Sequence, residues 1–316
     1  MRRSELRAKR IAVLAGGESG ERQVSLRTGQ MVLEALQRQG YEAMLVDPNC
    51  NLGEQLRHVG AEVVFNALHG GRGEDGTVQG ALEMLGLPYT GSRVLASAVT
   101  LDKVVTKRLL LAAGVLTPAW VVCDGEADIG ACAARAEAEL GLPAVVKPVN
   151  EGSSLGVHIA GTAEELRTSL EDDITTYGSA FVESFVVGTE LTVGILGVGA
   201  GRRALPVLEL RPKRAFYDYE AKYTAGLTEL VVPADVPPDD ALRAQALALR
   251  AHALCGCRGI SRVDMHLDGE GRLWVHEVNS MPGLTQTSDV PAEAMAAGMT
   301  YDELIVEVLA SAATED

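Results

Sequence analysis

Asp264, Glu277 and Asn279 stand in the segment RVDMHLDGEGRLWVHEVN at a spacing that could hold a hard cation. Two apolar runs flank the turn Asp268-Gly269-Glu270-Gly271, so the segment reads as a β-hairpin. With those four residues as the loop, Asp264 is expected opposite Glu277 and Arg262 opposite Asn279. Side chains alternate across a strand, so Val263, Met265 and Leu267 would enter the core, leaving Asp264, Glu277 and Asn279 on the other face. Two carboxylates and an amide oxygen suit Mg²⁺, which prefers oxygen donors and borrows more of them from nucleotide phosphates. The cation would also offset the repulsion between the carboxylates. The plainer alternative is that Arg262 pairs with one of them.

Four further segments carry chemistry. In VVKPVNEGSSLG, Lys147 ends an apolar strand and a glycine-serine turn with Ser153 follows. One point charge and many neutral donors make a phosphate cradle. It is not a GxxxxGK[ST] loop, and a flexible hairpin tip is the alternative. In FVESFVVGTELTV, Glu183 and Glu190 punctuate apolar runs that could offer backbone groups to a flat base and a carboxylate to a ribose. FYDYEAKYTAG ends on glycine and holds three tyrosines, two acids and a lysine, as a lid over a polar site would. GGESGER, Gly16 to Arg22, lies between a strand and a helix. With Asp47 it partly matches a dinucleotide fingerprint, although Ala15 stands where the first glycine belongs. Glu21 would repel a phosphate there and suits an ammonium group better.

The elements that must position these groups follow from periodicity. IAVLAGG, YEAMLVD and AEVVFNALHG read as strands, and SLRTGQMVLEALQRQG as a helix with Leu26, Met31, Leu33 and Leu36 on its apolar face. This rhythm predicts an α/β fold that opens on a parallel sheet, with ligands at the carboxyl ends of its strands. A second unit begins near Leu101 with the helix TLDKVVTKRLLLAAG, stopped by Gly114. An Ala-rich helix from Asp124 to Leu140 follows, then two strands around the glycine-serine turn and the helix EELRTSLEDD. A third unit begins near Ser184 with the strand ELTVGILG and closes on a helix from Thr300 to Ala313. The expected boundaries are 1–100, 101–183 and 184–316.

The chain has 316 residues, enough for two or three packed units. Acids outnumber bases, 43 to 28, giving a formal charge of −15 and arguing against a nucleic-acid partner. The basic start MRRSELRAKR precedes an apolar run too short for a signal peptide, and no window is apolar enough for a bilayer. A cytoplasmic protein without a membrane partner is expected. The five cysteines show no CxxC spacing, so reduced structural or surface thiols are expected.

The order of lysine strand, glycine-serine turn, acidic hinge and Asp…Glu-x-Asn hairpin resembles the ATP-grasp fold, here a two-part domain after a Rossmann-like sheet. More narrowly, GGESGERQVSLRTG, EDGTVQG, LDKVVTKRLLLAAG, FYDYEAKY and HEVNSMPGLTQTS make the chain similar to D-alanine–D-alanine ligases over essentially its whole length. The resemblance implies ATP and two Mg²⁺ ions, with Mn²⁺ as a substitute, D-alanine as substrate, a homodimer and a place in peptidoglycan precursor synthesis. Lys103 and Lys147 would contact ATP phosphates, Ser153 would lie on the loop covering them, and Glu183, Val186 and Glu190 would hold adenine and ribose. Lys222 would reach the transferred phosphate and Tyr223 would close the lid. Asp264, Glu277 and Asn279 would bind the metal. Arg262 and the backbone N–H of Gly283 would steady the acyl phosphate and tetrahedral intermediate. Glu21 would receive the first D-alanine's ammonium, with His69 nearby, and Ser288 the second one's carboxylate. Asp289 departs from the family, where an apolar residue is usual. It could face the second substrate or simply cap the helix that starts around Pro291. Rival readings are a ligase with another second substrate such as D-lactate, an NAD-dependent dehydrogenase, and a non-catalytic nucleotide-binding module.

Overall fold

The computed structural model describes residues 3–124, 128–152, 155–212 and 228–313. Ser153, Lys222 and Tyr223, with the whole of FYDYEAKY, lie outside the described residues. In chain order the elements begin β1 (Arg10–Leu14), α1 (Arg22–Arg38), β2 (Glu42–Val46), α2 (Leu52–His58), β3 (Val63–Asn66), α3 (Thr77–Met84) and α4 (Val94–Leu101). They continue as α5 (Lys103–Ala112), β4 (Trp120–Asp124), α6 (Ile129–Leu140), β5 (Ala144–Pro148), β6 (His158–Ala160), α7 (Ala163–Tyr177) and β7 (Ser179–Ser184). The rest are β8 (Gly188–Gly197), β9 (Arg203–Ala204), β10 (Leu208–Pro212), β11 (Thr228–Val231), α8 (Pro238–Leu254), β12 (Gly259–Asp268), β13 (Leu273–Asn279), α9 (Asp289–Ala296) and α10 (Tyr301–Ala310).

The first sheet is parallel, in the order β2-β1-β3, as the βαβ rhythm predicts. Two antiparallel sheets follow: β4-β7-β5-β6, and β11-β10-β8-β12-β13 with β9 beside β8. Helix ends are written in the sequence. The Asp102 side chain accepts from the N–H of Val105 to start α5, and Thr162 with Glu165 and Thr300 with Glu303 form reciprocal capping boxes on α7 and α10. No helix among the described residues is long and apolar enough to cross a membrane.

Several expectations need correction. The segment from Asp124 is not helical at once: Trp120–Asp124 is an edge strand and the helix starts at Ile129, where the Asp128 side chain caps it. Alanine content drew the expected helix too far back. Helix α1 buries Val24, Thr28, Val32, Ala35 and Leu36, whereas Leu26 and Leu33 lie at the margin. The small residues Thr28 and Gly29 belong to the buried face because the sheet approaches closely there. A Cβ on Gly29 would come 2.2 Å from that of Ala15. Cys123 and Cys132 are joined as a disulfide, with Cα atoms 6.1 Å apart, while Cys50, Cys255 and Cys257 are free thiols. Helix α6 folds back on β4 and brings the pair together, a proximity that spacing alone conceals.

The hairpin register is right for a different reason. A four-residue loop would set Leu267 opposite Arg272 and Asp264 opposite Val275. Instead Leu267 faces Leu273 across a longer connection, and the register shifts once between Asp264 and Met265. Beyond this bulge Asp264 faces Glu277, and Arg262 faces Asn279. The shift leaves two consecutive polar residues, His276 and Glu277, between the buried Val275 and Val278.

At the start of β12, Gly259 has φ +77°, and a Cβ there would lie 2.3 Å from that of Ser311. Ser311 cannot retreat easily, since its Oγ accepts from the N–H of Gly91 at 2.9 Å and donates to the Val308 carbonyl at 2.6 Å. Gly259→Ala therefore combines a left-handed backbone with overpacking, and should destabilise the protein by roughly 2–4 kcal/mol. Chemical denaturation of the two forms checks this; an unchanged midpoint would contradict it.

Candidate active site

A cavity of about 470 Å³ opens between the two antiparallel sheets. It brings together Lys103 at the start of α5, Lys147 on β5, Glu183 on β7, Val186 on the β7–β8 connection, Glu190 on β8, Asp264 on β12 and Glu277 on β13. Val145, Leu155, Leu210 and Met265 supply apolar wall. An apolar slot with a few convergent charges suits a ligand with a flat ring and an anionic tail.

Glu183 is buried beside three cationic or donor groups. Lys107 Nζ lies 3.1 Å from Oε2 and donates to Thr117 Oγ1 at 2.6 Å; Lys147 Nζ lies 3.4 Å from Oε1, and His276 Nδ1 also bonds Oε1. Burial alone would push the carboxyl up, yet Lys107, Lys147 and His276 hold it well below the usual carboxylate range. Burial lowers Lys107 to about 8 against the pull of Glu183. Burial also lowers His276, and it takes His266 to about 3 with help from His276. Sequence reading missed Lys107, Thr117 and His276. Lys107 was accessible, because it follows Lys103 by one helical turn.

A second, smaller pocket adjoins the first. It is lined by Glu21, His69, Arg262, Asn279 and Gly283, and it shares Lys103, Glu151 and Glu277 with the larger cavity. Glu21 leads into α1 and is buried beneath two glycines: a Cβ on Gly70 or Gly152 would lie 2.6 Å from Glu21 Oε2. Glycine at both positions lets the chain close over this carboxylate. His69 places Nε2 3.0 Å from Thr28 Oγ1, and Nδ1 3.6 Å from Glu74. Lys103 donates to the Glu151 carbonyl and lies 3.7 Å from Glu277. Ser288 Oγ lies beside Gly283 and accepts from the N–H of Thr285 at 3.1 Å.

Arg262 grips Asp264 with two bonds, 2.8 and 2.7 Å, and its third nitrogen lies 3.4 Å from Asp289. The pairing offered as the plainer alternative is thus present. Burial works against the guanidinium charge, but Asp264, Asp289 and Glu277 hold its pKa well above the ordinary value. Thr192 Oγ1 also donates to Asp264, at 2.6 Å, and Asn279 Oδ1 accepts from the N–H of Met281 at 2.9 Å. The capping expectation for Asp289 fails. Ser288 occupies the cap position, and Asp289 is the first helical residue, buried, with its carboxylate toward Arg262. A full cation attracts a buried carboxylate more strongly than a peptide N–H does.

Asp264 and Glu277 face each other across the hairpin with Asn279 two residues along, and this all-oxygen set fits a hard cation. Among the described residues no three His, Cys, Asp or Glu converge on one point. A cation here would therefore need Asn279 and a ligand's own oxygens. The dinucleotide reading of the first sheet is not sustained: Asp47 accepts from the N–H of Gly17 at 2.9 Å and is paired with Arg22 at 2.6 Å.

Comparison with known proteins points one way. Residues 109–310 match the family described as D-ala D-ala ligase C-terminus, and residues 47–92 match D-ala D-ala ligase N-terminus. The D-alanine–D-alanine ligase of Syntrophotalea carbinolica is 44% identical over 312 residues, 99% of each chain. The crystal structure of the Bacillus anthracis D-alanine–D-alanine ligase complexed with ATP aligns with TM-score 0.81 at 34% identity, covering 96% of each chain. The VanG D-Ala:D-Ser ligase of Enterococcus faecalis aligns with TM-score 0.83 at 27% identity, covering 96% of this chain and 99% of that one.

Proposed function

Since the chain belongs to the D-alanine–D-alanine ligase family, we propose that it joins two D-alanines, with ATP, into D-alanyl-D-alanine for cell-wall precursor synthesis. The observation that carries this reading is the adjacency of the two pockets. Lys103, Glu151 and Glu277 border both, so a nucleotide's phosphates and a small amino acid would meet there.

A carboxylate is a poor electrophile. Phosphorylation by ATP makes an acyl phosphate, and the amine of the second amino acid then displaces phosphate. Such transfer needs positioning and charge neutralisation more than a covalent nucleophile. In this reading the base and ribose lie along Val186 and Glu190, with the Glu183 network at the inner end. Lys103 and Lys147 hold phosphates, and Ser153, Lys222 and Tyr223 cover them. Asp264, Glu277 and Asn279 would hold Mg²⁺, two ions in all, which neutralise phosphate charge when bound. Glu21 receives the first ammonium. Arg262 and the N–H of Gly283 stabilise the oxygen on which charge develops, and Ser288 takes the second carboxylate. The parts 1–100, 101–183 and 184–316 then serve first substrate, phosphates, and metal with second substrate. A homodimer belongs to the same reading.

Asp289 favours one variant reading, in which the second substrate is another amino acid. Phosphate release by purified protein with ATP and Mg²⁺ decides between them, using D-alanine, L-alanine, D-serine and D-lactate. Turnover with D-alanine alone is expected. No turnover with D-alanine alone, but turnover when D-serine is added, would replace the primary reading by the variant.

A further inference from the structure

Two lysines share the buried carboxylate of Glu183, and the chemistry above uses only one of them. In the sheet β4-β7-β5-β6, Glu183 stands opposite Trp120 on one side and opposite Val145 on the other. Lys147 is two residues beyond Val145, so Trp120, Glu183 and Lys147 share one face of the sheet. Lys107 reaches the same carboxylate from α5.

Lys107 is held from three directions. Its Nζ lies 3.1 Å from Glu183 Oε2, donates to Thr117 Oγ1 at 2.6 Å, and sits 5.2 Å from the centre of the Trp120 ring. Its side chain is fully buried and outside the lining of the larger cavity. Lys147 differs. It lines that cavity, keeps 16% of its side chain exposed, and lies 3.4 Å from Glu183 Oε1, longer than a well-made charge-assisted bond. Both oxygens of Glu183 are engaged without it. Oε2 takes Lys107, and Oε1 takes Nδ1 of His276, which carries a hydrogen whatever the charge on the ring, because an ionised carboxylate only accepts. Of the two ammonium groups, Lys107 does more to hold the Glu183 carboxyl down. Lys107 and Glu183 therefore cancel as a pair, and the positive charge of Lys147 is left over at the cavity wall.

We propose that Lys107 is a positioning residue for Lys147: by balancing Glu183 from inside the protein, it releases the Lys147 ammonium to the nucleotide's phosphates. This rests on the reading of the cavity as the ATP site with Lys147 at the phosphates. Without Lys107, the charge of Glu183 falls to Lys147, and a phosphate must compete with a buried carboxylate for the same cation.

The test compares calorimetric binding of ADP and of adenosine to the full-length protein with Mg²⁺ and no amino acid, so it does not depend on turnover. Adenosine offers the same base and ribose without phosphates. In Lys107→Met, assayed under conditions where its thermal transition shows it folded, the preference for ADP over adenosine should fall about tenfold, the scale of one charge-assisted hydrogen bond. A lysine that only supported the fold would weaken both ligands alike and keep the ratio. Adding Glu183→Gln to Lys107→Met removes the competing carboxylate and should bring the ratio back to the wild-type value. Glu183→Gln alone tests the same idea without touching Lys107. Its ratio should match wild type, because Lys147 is already released there. An unchanged ratio in folded Lys107→Met, a double variant that does not recover, or a ratio that rises about tenfold in Glu183→Gln overturns the proposal while leaving the ligase reading intact. Failure of wild type to bind ADP at all would overturn both.

Discussion

Glu277→Gln is expected to lower D-alanine-dependent phosphate release by about a hundredfold or more, the scale of a lost metal ligand or transition-state charge partner. Glutamine keeps the size and one oxygen but removes a charge that, with Asp264 across the hairpin, would balance a divalent cation. The loss should be steepest at low Mg²⁺ and partly recovered at high Mg²⁺, which distinguishes a metal ligand from a group that only shapes the cleft. The fold should be little affected. Glu277 is partly exposed, and its ion pair to Lys103 spans 3.7 Å. Thermal denaturation should shift by no more than the small amount typical of such positions. Near-normal activity across the Mg²⁺ range would refute the metal role.

Lys107→Met should do the opposite, acting first on the fold. Lys107 is fully buried and its ammonium lies closer to Glu183, itself buried, than that of Lys147 does. Truncating one partner leaves the other charge in a medium that solvates it poorly, at a cost of roughly 3–5 kcal/mol. Lys147 and His276 remain to share the carboxylate, so the lower end of that range is expected. Removing both charges, with Lys107→Met and Glu183→Gln together, should recover part of the loss, because the penalty comes from the orphaned charge. Denaturant midpoints of the two single variants and the double variant measure this. A double variant no more stable than the sum of the singles would contradict it. The pH dependence carries the same sign. The folded-state pKa of Glu183 lies below its ordinary value of 4.5, so its contribution is complete above that value and is lost as pH falls through the folded pKa.

How much could be read beforehand depended on distance along the chain. The parallel first sheet, the hairpin and the Lys147 strand were legible because each is a local pattern of period or punctuation. Asp264 facing Glu277 was legible too, although the register came through a bulge and not through the turn length assumed. What stayed hidden was built from residues far apart in sequence. Lys107, Glu183 and His276 span three elements and meet only after α5, β7 and β13 pack. The same holds for Asp289. Helix-start statistics favour capping, and only the folded chain brings Arg262 within reach. The face of α1 was misread because apolar size was weighted above fit, and the sheet wanted small residues there.

The core that covers the first sheet has a consequence for biosynthesis. Ile11, Val13 and Phe65 from that sheet share one apolar cluster with Leu304, Ile305, Val308 and Ala312 from the last helix and the residues after it. A ribosome makes the sheet well before that helix. Helix α1 covers that face of the sheet early, through Val32, Ala35 and Leu36, but the side of the cluster that α10 closes stays open until α10 has been synthesised. Vectorial folding from the N-terminus would stall at this face. The nascent chain should be open to holdase chaperones and proteases until α10 clears the exit tunnel, and then close in a late step that joins this helix to the first sheet and α1.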